Sequence, residues 1–200
     1  MYNDGANDQR VLTGGAITEY TDFVPTSAEF IAWRDALSVP PPEQTWPGLQ
    51  AMFVALVADA GLWSKMEVLY LPAFEYDPAE TNVVNARSPG TFDGTINGGY
   101  TLAPGYYIMG NGTTGFVDTG LNPNTLTLQN SFGLEFWSLT TSQGSAVDIG
   151  NGNSIMTTRT ATDNFSGRMN AGTAHSTANT QGIGLFGMSR TGSTAAAEKQ

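Results

Sequence analysis

Two periods of apolar spacing follow one another along the chain. Between Thr26 and Leu69 apolar residues recur every three or four positions, which lines one face of a helix. Thr26-Ser27-Ala28-Glu29 has the form of a capping box, in which a hydroxyl and a carboxylate three residues apart satisfy the first amides. Phe30, Trp33 and Leu37 follow at helical spacing, and Pro40-Pro41-Pro42 ends the run. A second helix is predicted with Pro47 in its first turn and Gly61 as its left-handed stop. Leu49, Met52, Phe53, Leu56, Val57 and Ala60 form one apolar stripe along it. These are packing residues, either of the chain's own core or of an oligomer seam. A third, short helix is predicted from Trp63 to Leu69, stopping before Pro72.

From Val83 onward the period changes to two. Tyr106–Met109, Gly115–Asp118, Phe132–Leu139, Ser154–Arg159, Phe165–Met169 and Ile183–Ser189 are short runs rich in aromatic and β-branched residues. Asp93-Gly94, Asn97-Gly98 and Asn111-Gly112 favour tight turns with positive φ. No helical pattern interrupts residues 89–190, so the runs read as an antiparallel sandwich and not as βαβ units. The first 25 residues follow neither period, and Asp4-Gly5 and Gly14-Gly15 break them up. They read as a flexible arm, or as one that orders only on docking. The expected order is an arm over 1–25, a helical attachment and oligomerisation region over 26–80, and a β-sandwich domain over 81–200.

Composition sharpens this division. Over the 200 residues 18 acids face 8 bases, a net charge of -10. Residues 1–88 hold 12 of the acids and 4 of the bases, so most of the acidity belongs to the arm and helices. Eight of the ten prolines lie at or before Pro89, whereas 19 of the 24 glycines follow Ser88. An acidic chain with two lysines, Lys65 and Lys199, is unsuited to neutralising phosphates, so nucleic acid is not an expected partner. Without cysteine there is neither a disulfide framework nor a thiolate metal site. No apolar run reaches the roughly 20 residues that span a bilayer, and the polar, acidic start does not look like a signal peptide.

Gly110-Asn-Gly-Thr-Thr-Gly-Phe-Val-Asp-Thr-Gly-Leu-Asn-Pro123 resembles the opening strand of concanavalin A-like lectin/glucanase sandwiches. More narrowly it is similar to the laminin-G-like domains of tailed-bacteriophage virion proteins. The pieces that follow keep the order and spacing of that family. They are Gln129–Leu134, Val147-Asp148-Ile149-Gly150, Asp163–Asn170, Ser176–Thr180 and Gly184–Arg190. Upstream, Ala58–Trp63 leading to Leu69-Tyr70-Leu71 also fits, so the resemblance covers residues 50–195. Such sandwiches continue with a Lys-Asn-Gly turn and further strands, whereas this chain reaches Ala195-Ala196-Ala197-Glu198-Lys199-Gln200 instead. The fold class implied is mainly β with N-terminal helices, an antiparallel concanavalin A-like jelly roll incomplete at the C-terminus. An unpaired edge would then belong to a fragment, or be completed by another chain.

Several candidate chemistries remain. Gly110, Gly112 and Gly115 satisfy G-x-G-x-x-G, but they lead into Phe116-Val117-Asp118, a strand and not the helix N-terminus that a pyrophosphate needs. The acids of the β half are Asp93, Asp118, Glu135, Asp148, Asp163 and Glu198, and no two stand within four positions. A glycosidase needs a carboxyl pair roughly 5–9 Å apart, so hydrolysis would require acids meeting from different strands. His175 is the lone histidine, and no G-x-S-x-G accompanies it. Asp148, Asn151 and Asn153 in a glycine-rich turn are candidate calcium ligands, or else a turn held by side-chain hydrogen bonds. Sugar binding requires flat aromatic faces beside polar groups. Among Tyr100, Tyr106, Tyr107, Phe116 and Trp137, the two chosen for this are Trp137 and Tyr100, with Asn111 as a polar partner. Phe116 and Phe132 read as core residues.

The resemblance implies a structural virion component of a tailed phage, made in the host cytoplasm and displayed on tail or head. It implies no enzymatic activity, and calcium as the one cofactor to consider. Expected partners are the chain itself as a homo-oligomer, a trimer, and other virion proteins through residues 1–80. A glycan-binding receptor protein is the alternative, with host surface glycans as ligand. A glycoside hydrolase is the third reading.

Overall fold

The computed structural model of the chain describes residues 2–3, 9–13, 16–19, 23–74, 82–103, 107–111, 113–122, 131–139, 148–151, 154–169, 174–191 and 194–199. Asp4-Gly5, Gly14-Gly15, Tyr106, Gly112 and Asn153 lie outside them, as do Pro123, Gln129-Asn130, Val147 and Asn170 of the phage-like stretches. The chain is mainly β, with short helices near its start and antiparallel strand pairing throughout. It divides into two compact units, Met1–Leu121 and Asn122–Gln200. Among the described residues no helix is long and apolar enough to cross a membrane.

The first unit opens with β1 (Tyr2–Asn3), β2 (Gln9–Thr13) and β3 (Ala16–Glu19), a three-stranded antiparallel meander. Thr13 pairs with Ala16, so the connection is the two residues Gly14-Gly15. A two-residue Gly-Gly link between Val11-Leu12-Thr13 and Ala16-Ile17-Thr18 is a hairpin signal in its own right.

Helix α1 (Ala28–Ala36) starts at Ser27, not Thr26. The Ser27 hydroxyl accepts from the Phe30 amide at 3.3 Å and donates to Glu29. Two further amides at this end, those of Thr26 and Ser27, donate to Oε1 of Gln50, on α2 (Trp46–Ala58). The reciprocal role of the box therefore passes to a neighbouring helix. Helix α2 ends at Asp59, and Gly61 is not its stop. Asp59 accepts the Leu62 amide at 3.0 Å and so caps a new turn, α3 (Ala60–Trp63). The third helix thus precedes the expected Trp63–Leu69 span, and Ala60 leaves the stripe for an exposed position.

Leu49 and Phe53 of the stripe are buried, and Met52, Leu56 and Val57 pack against them partly buried. All five lie in the core of this unit with Phe30, Trp33, Leu37 and Trp63. Phe53 stands at the centre of the aromatic packing, 5.6 Å from Trp33 and 5.8 Å from Phe30 between ring centroids. Such ring pairs add about 0.5–1.5 kcal/mol each beyond the area that they bury. Two guanidinium groups roof the core, Arg34 over Trp46 and Arg87 over Trp63, each 4.8 Å from the ring centroid.

Val84 and Ala86 also fill this core. The composition change near residue 88 therefore does not coincide with the division at Leu121, because the first β residues belong to the helical unit. β4 (Asn82–Val83), β5 (Gly94–Asn97) and β8 (Phe116–Asp118) form one sheet, and β6 (Tyr100–Ala103) pairs with β7 (Tyr107–Gly110). Asp93-Gly94 is not a tight turn, since Gly94 already begins a strand.

Asn85, which is fully buried, ties the Glu67–Leu69 stretch to residues 87–93. Its Oδ1 accepts from the amides of Leu69 and Arg87, and its Nδ2 donates to the carbonyls of Glu67 and Thr91. Its own amide donates to Asp93, whose second oxygen accepts from Gly90. This lattice holds Phe92 at φ 56, a left-handed conformation that a bulky side chain adopts only under constraint.

Among the described residues the second unit contains two antiparallel sheets. One is ordered β10 (Ile149–Asn151), β11 (Ser154–Thr157), β12 (Asn164–Arg168), β13 (His175–Ala178). The other runs β15 (Thr194–Lys199), β14 (Ile183–Thr191), β9 (Ser131–Leu139). They share one core. Met156 and Phe165 from the first sheet, and Met169 just after β12, meet Phe186 and Met188 of β14, with Phe132, Leu134 and Phe136 of β9 around them. Three methionines give a core that fills irregular space by side-chain adjustment. The segment Thr194–Lys199, where the resemblance has a further sandwich strand beginning, is a strand in register with β14 from Thr191↔Thr194 to Phe186↔Lys199, and it lies at the edge of its sheet.

Candidate functional site

The Asn111 loop joins β7 to β8. Asn111 Oδ1 accepts the amides of Thr113, Thr114 and Gly115 at 3.0, 2.8 and 2.9 Å, while Nδ2 donates to the Thr114 hydroxyl. The side chain proposed as a sugar contact is thus engaged in shaping its own turn. Gly110 and Gly115 of the G-x-G-x-x-G string are there for proximity. A Cβ on Gly115 would lie 2.0 Å from the Gly99 carbonyl oxygen, and one on Gly110 would lie 2.8 Å from that of Gly115. Strand β8 follows, as a phosphate site would not have it.

Phe116 does not fill a core. It is 60 % exposed, because it stands on β8 at the edge of its sheet, opposite Asn97. Tyr100 is half-buried at the start of β6. Tyr100 and Asn111 belong to the first unit and Trp137 to the second, so no single surface of either unit presents all three.

Asp148, the carboxylate of the calcium candidate, is committed elsewhere. Its Oδ2 accepts both the amide and the hydroxyl of Thr158. The Thr158 carbonyl accepts in turn from Nδ2 of buried Asn179, whose Oδ1 accepts the Gln181 amide. This chain of hydrogen bonds ties β10, the β11–β12 connection and the exit of β13 together. Asn151 pairs with Ser154 in the β10–β11 hairpin, and Asn153 falls outside the described residues. Among the described residues no three of His, Asp and Glu gather at metal-binding distance. His175 sits half-buried on β13, not in a loop, at the register position opposite Gly167.

The most open arrangement is the outward face of the β9–β14–β15 sheet. Alternation sends Phe132, Leu134 and Phe136 to the core and leaves Glu135, Trp137 and Leu139 outside. Trp137 is 65 % exposed, Leu139 54 % and Ile183 48 %. The register sets Trp137 opposite Leu185 and Leu139 opposite Ile183, so four large apolar side chains form one block. Of the three candidate sugar contacts, Trp137 is the one whose ring lies open. Contiguous exposed apolar surface of this kind marks interaction sites in soluble proteins.

The next cross-strand row reads Glu135, Gly187, Glu198. A Cβ on Gly187 would lie 3.0 Å from Glu135 Cγ and 3.4 Å from Oε1, so the Glu135 side chain reaches over the glycine. Asp93, Asp118, Asp148 and Asp163 accept hydrogen bonds from Asn85, Gly120, Thr158 and Arg159. Glu135 makes no hydrogen bond or ion pair among the described residues. Glu135, Leu139, Ile183 and Leu185 were not singled out from sequence. The alternation within Phe132–Leu139 marks the first two, whereas the last two depend on the pairing of β9 with β14. No family model, no curated protein and no solved structure matches the chain.

Proposed function

We propose that the chain is a structural, non-enzymatic virion component of a tailed phage, with a lectin-like module of concanavalin A-like type in its second unit. The reading rests on the phage-like order of motifs between residues 50 and 195. It is supported by the Trp137 block, an exposed apolar surface that suits an assembly or adhesive part better than a self-contained domain. The two sheets sharing a methionine-rich core are compatible with a sandwich of that type. Fold alone would not carry the assignment. Light scattering of the purified chain tests it: a stable homo-oligomer, a trimer by preference, supports the reading, and a monomer at all concentrations overturns it.

The open indole favours a second reading, glycan-binding receptor recognition. An aromatic face packs against the apolar side of a sugar ring while neighbouring polar groups take its hydroxyls. Binding on a broad glycan array that is lost in Trp137→Ala supports this reading. Silence across the array, or binding unchanged by the substitution, removes it.

A further inference from the structure

We infer that Asn97 is a site of spontaneous deamidation in the folded chain, and that Asn111, also followed by glycine, is spared by its hydrogen bonds. In this reaction the amide nitrogen of the next residue attacks the side-chain carboxamide carbon. Ammonia leaves and a five-membered succinimide remains. Water, the only co-reactant, then opens the ring at either carbonyl to give aspartate or isoaspartate, in which the backbone runs through the side chain. A following glycine permits the approach, because it has no Cβ in the way and restricts the backbone least. Two conditions then decide whether a folded chain allows the reaction. The carboxamide must be free to turn towards the attacking nitrogen, and that nitrogen must not be held by an acceptor.

Asn97 meets both conditions. It is the last residue of β5 and pairs with Phe116, the first residue of β8, so its backbone is released when one terminal pair opens. Its Nδ2 donates to the Thr95 carbonyl at 3.0 Å, and its Oδ1 accepts no hydrogen bond among the described residues. The Gly98 amide likewise has no acceptor among them. Asn111 is the opposite case. Its Oδ1 accepts the amides of Thr113, Thr114 and Gly115 and the Thr113 hydroxyl, while Nδ2 donates to the Thr114 hydroxyl. Turning this carboxamide breaks all of these bonds together. Conversion at Asn97 also has a structural consequence. Gly98, at φ 70, lies so close to the loop after β7 that a Cβ on it would stand 2.0 Å from the Thr114 carbonyl oxygen. The extra backbone methylene of isoaspartate has no room to be absorbed there, so the turn must part from that loop.

Peptide mapping by mass spectrometry, on the intact chain held in mildly alkaline buffer, reads both sites in one sample. Asn151-Gly152, the remaining pair of this kind, falls partly outside the described residues and is read as a separate peptide. The expected result is deamidation at Asn97 roughly tenfold faster than at Asn111, equivalent to about 1.4 kcal/mol between the two barriers. An isoaspartyl methyltransferase should label the peptide carrying residue 97 and not the one carrying residue 111. In concentrated urea, where neither side chain is held, the two rates should converge. Asn97→Gln, which would have to close a six-membered ring, should abolish the reaction at that position and leave Asn111 still protected. Equal rates at the two sites in the folded chain would overturn the inference. So would a faster reaction at Asn111, since its three amides would then be polarising the carbonyl instead of holding it. An Asn97 that stays intact while the unfolded chain reacts, or a difference that persists in urea, would overturn it as well.

Discussion

Gln50 Oε1 accepts the Ser27 amide at 3.1 Å across a separation of 23 residues, so one helix caps another. The same oxygen accepts from Thr26, and Gln50 Nε2 donates back to the Thr26 hydroxyl. Docking of α2 and the start of α1 are therefore one event. Replacing Gln50 by Ala leaves two amides at that end without their acceptor and should cost about 1–2 kcal/mol. Gln50→Glu keeps the acceptor and adds a negative charge at a helix N-terminus, so it should retain most of the stability. Urea unfolding followed by far-ultraviolet circular dichroism distinguishes the two.

Asn85 offers a sharper test, because both halves of its amide are in use. Asn85→Asp preserves shape but removes the donors to Glu67 and Thr91. It would also bury a carboxylate beside Asp93. A loss of roughly 3 kcal/mol or more is expected, comparable with the loss in Asn85→Ala. Equal midpoints for Asn85→Asp and the unaltered chain in denaturant would show that this junction does not bear stability.

Tyr70 donates its hydroxyl to the Phe92 carbonyl. Burial pushes its phenol up to about 12, with Asp93 acting in the same direction and a hydrogen bond with Thr119 opposing. Folded Tyr70 thus keeps its proton at a pH where the unfolded chain, near 10, has lost it. Stability should be unaffected below pH 10 and fall between about pH 10 and 12, as the unfolded state alone releases a proton. In Tyr70→Phe that part of the alkaline loss should vanish, which unfolding curves across this range would reveal.

Asn111 should accept Asp but not Ala. Three amides converge on Oδ1, and a carboxylate would receive them at least as well, since charge-assisted hydrogen bonds are stronger. Amide hydrogen exchange at Thr113, Thr114 and Gly115 is the readout. Asn111→Asp should keep these amides protected, and Asn111→Ala should release them together.

Trp137→Ala should leave stability within about 0.5 kcal/mol of the unaltered chain, because the side chain is mostly outside. A larger loss would assign the indole a structural role and weaken both proposals for this surface.

Local spacing carried the helices and most strands, whereas pairing decided the rest. Phe30, Trp33, Leu49 and Phe53 are legible because a period of 3.6 needs no knowledge of partners, and all four are buried. The start at Ser27 and the break at Asp59 were not legible, as each depends on one side chain reaching a particular amide. Phe116 looked like core because aromatic residues in strands usually are, but its place on an edge strand leaves it outside. Trp137 could be chosen from its ring alone. Glu198 could not be joined to Glu135, since 63 residues separate them and only β14 brings them into one row.

The four tryptophans sit in three kinds of surroundings, which gives the molecule its own optical reporters. Trp33 is wholly enclosed, Trp46 and Trp63 each lie under a guanidinium, and Trp137 faces water. Unfolding of the first unit should shift the emission of three indoles towards the red. A ligand seated on the second unit should alter only the long-wavelength, readily quenched emission of Trp137. Loss of structure and occupation of the surface are thus separable in one unlabelled sample.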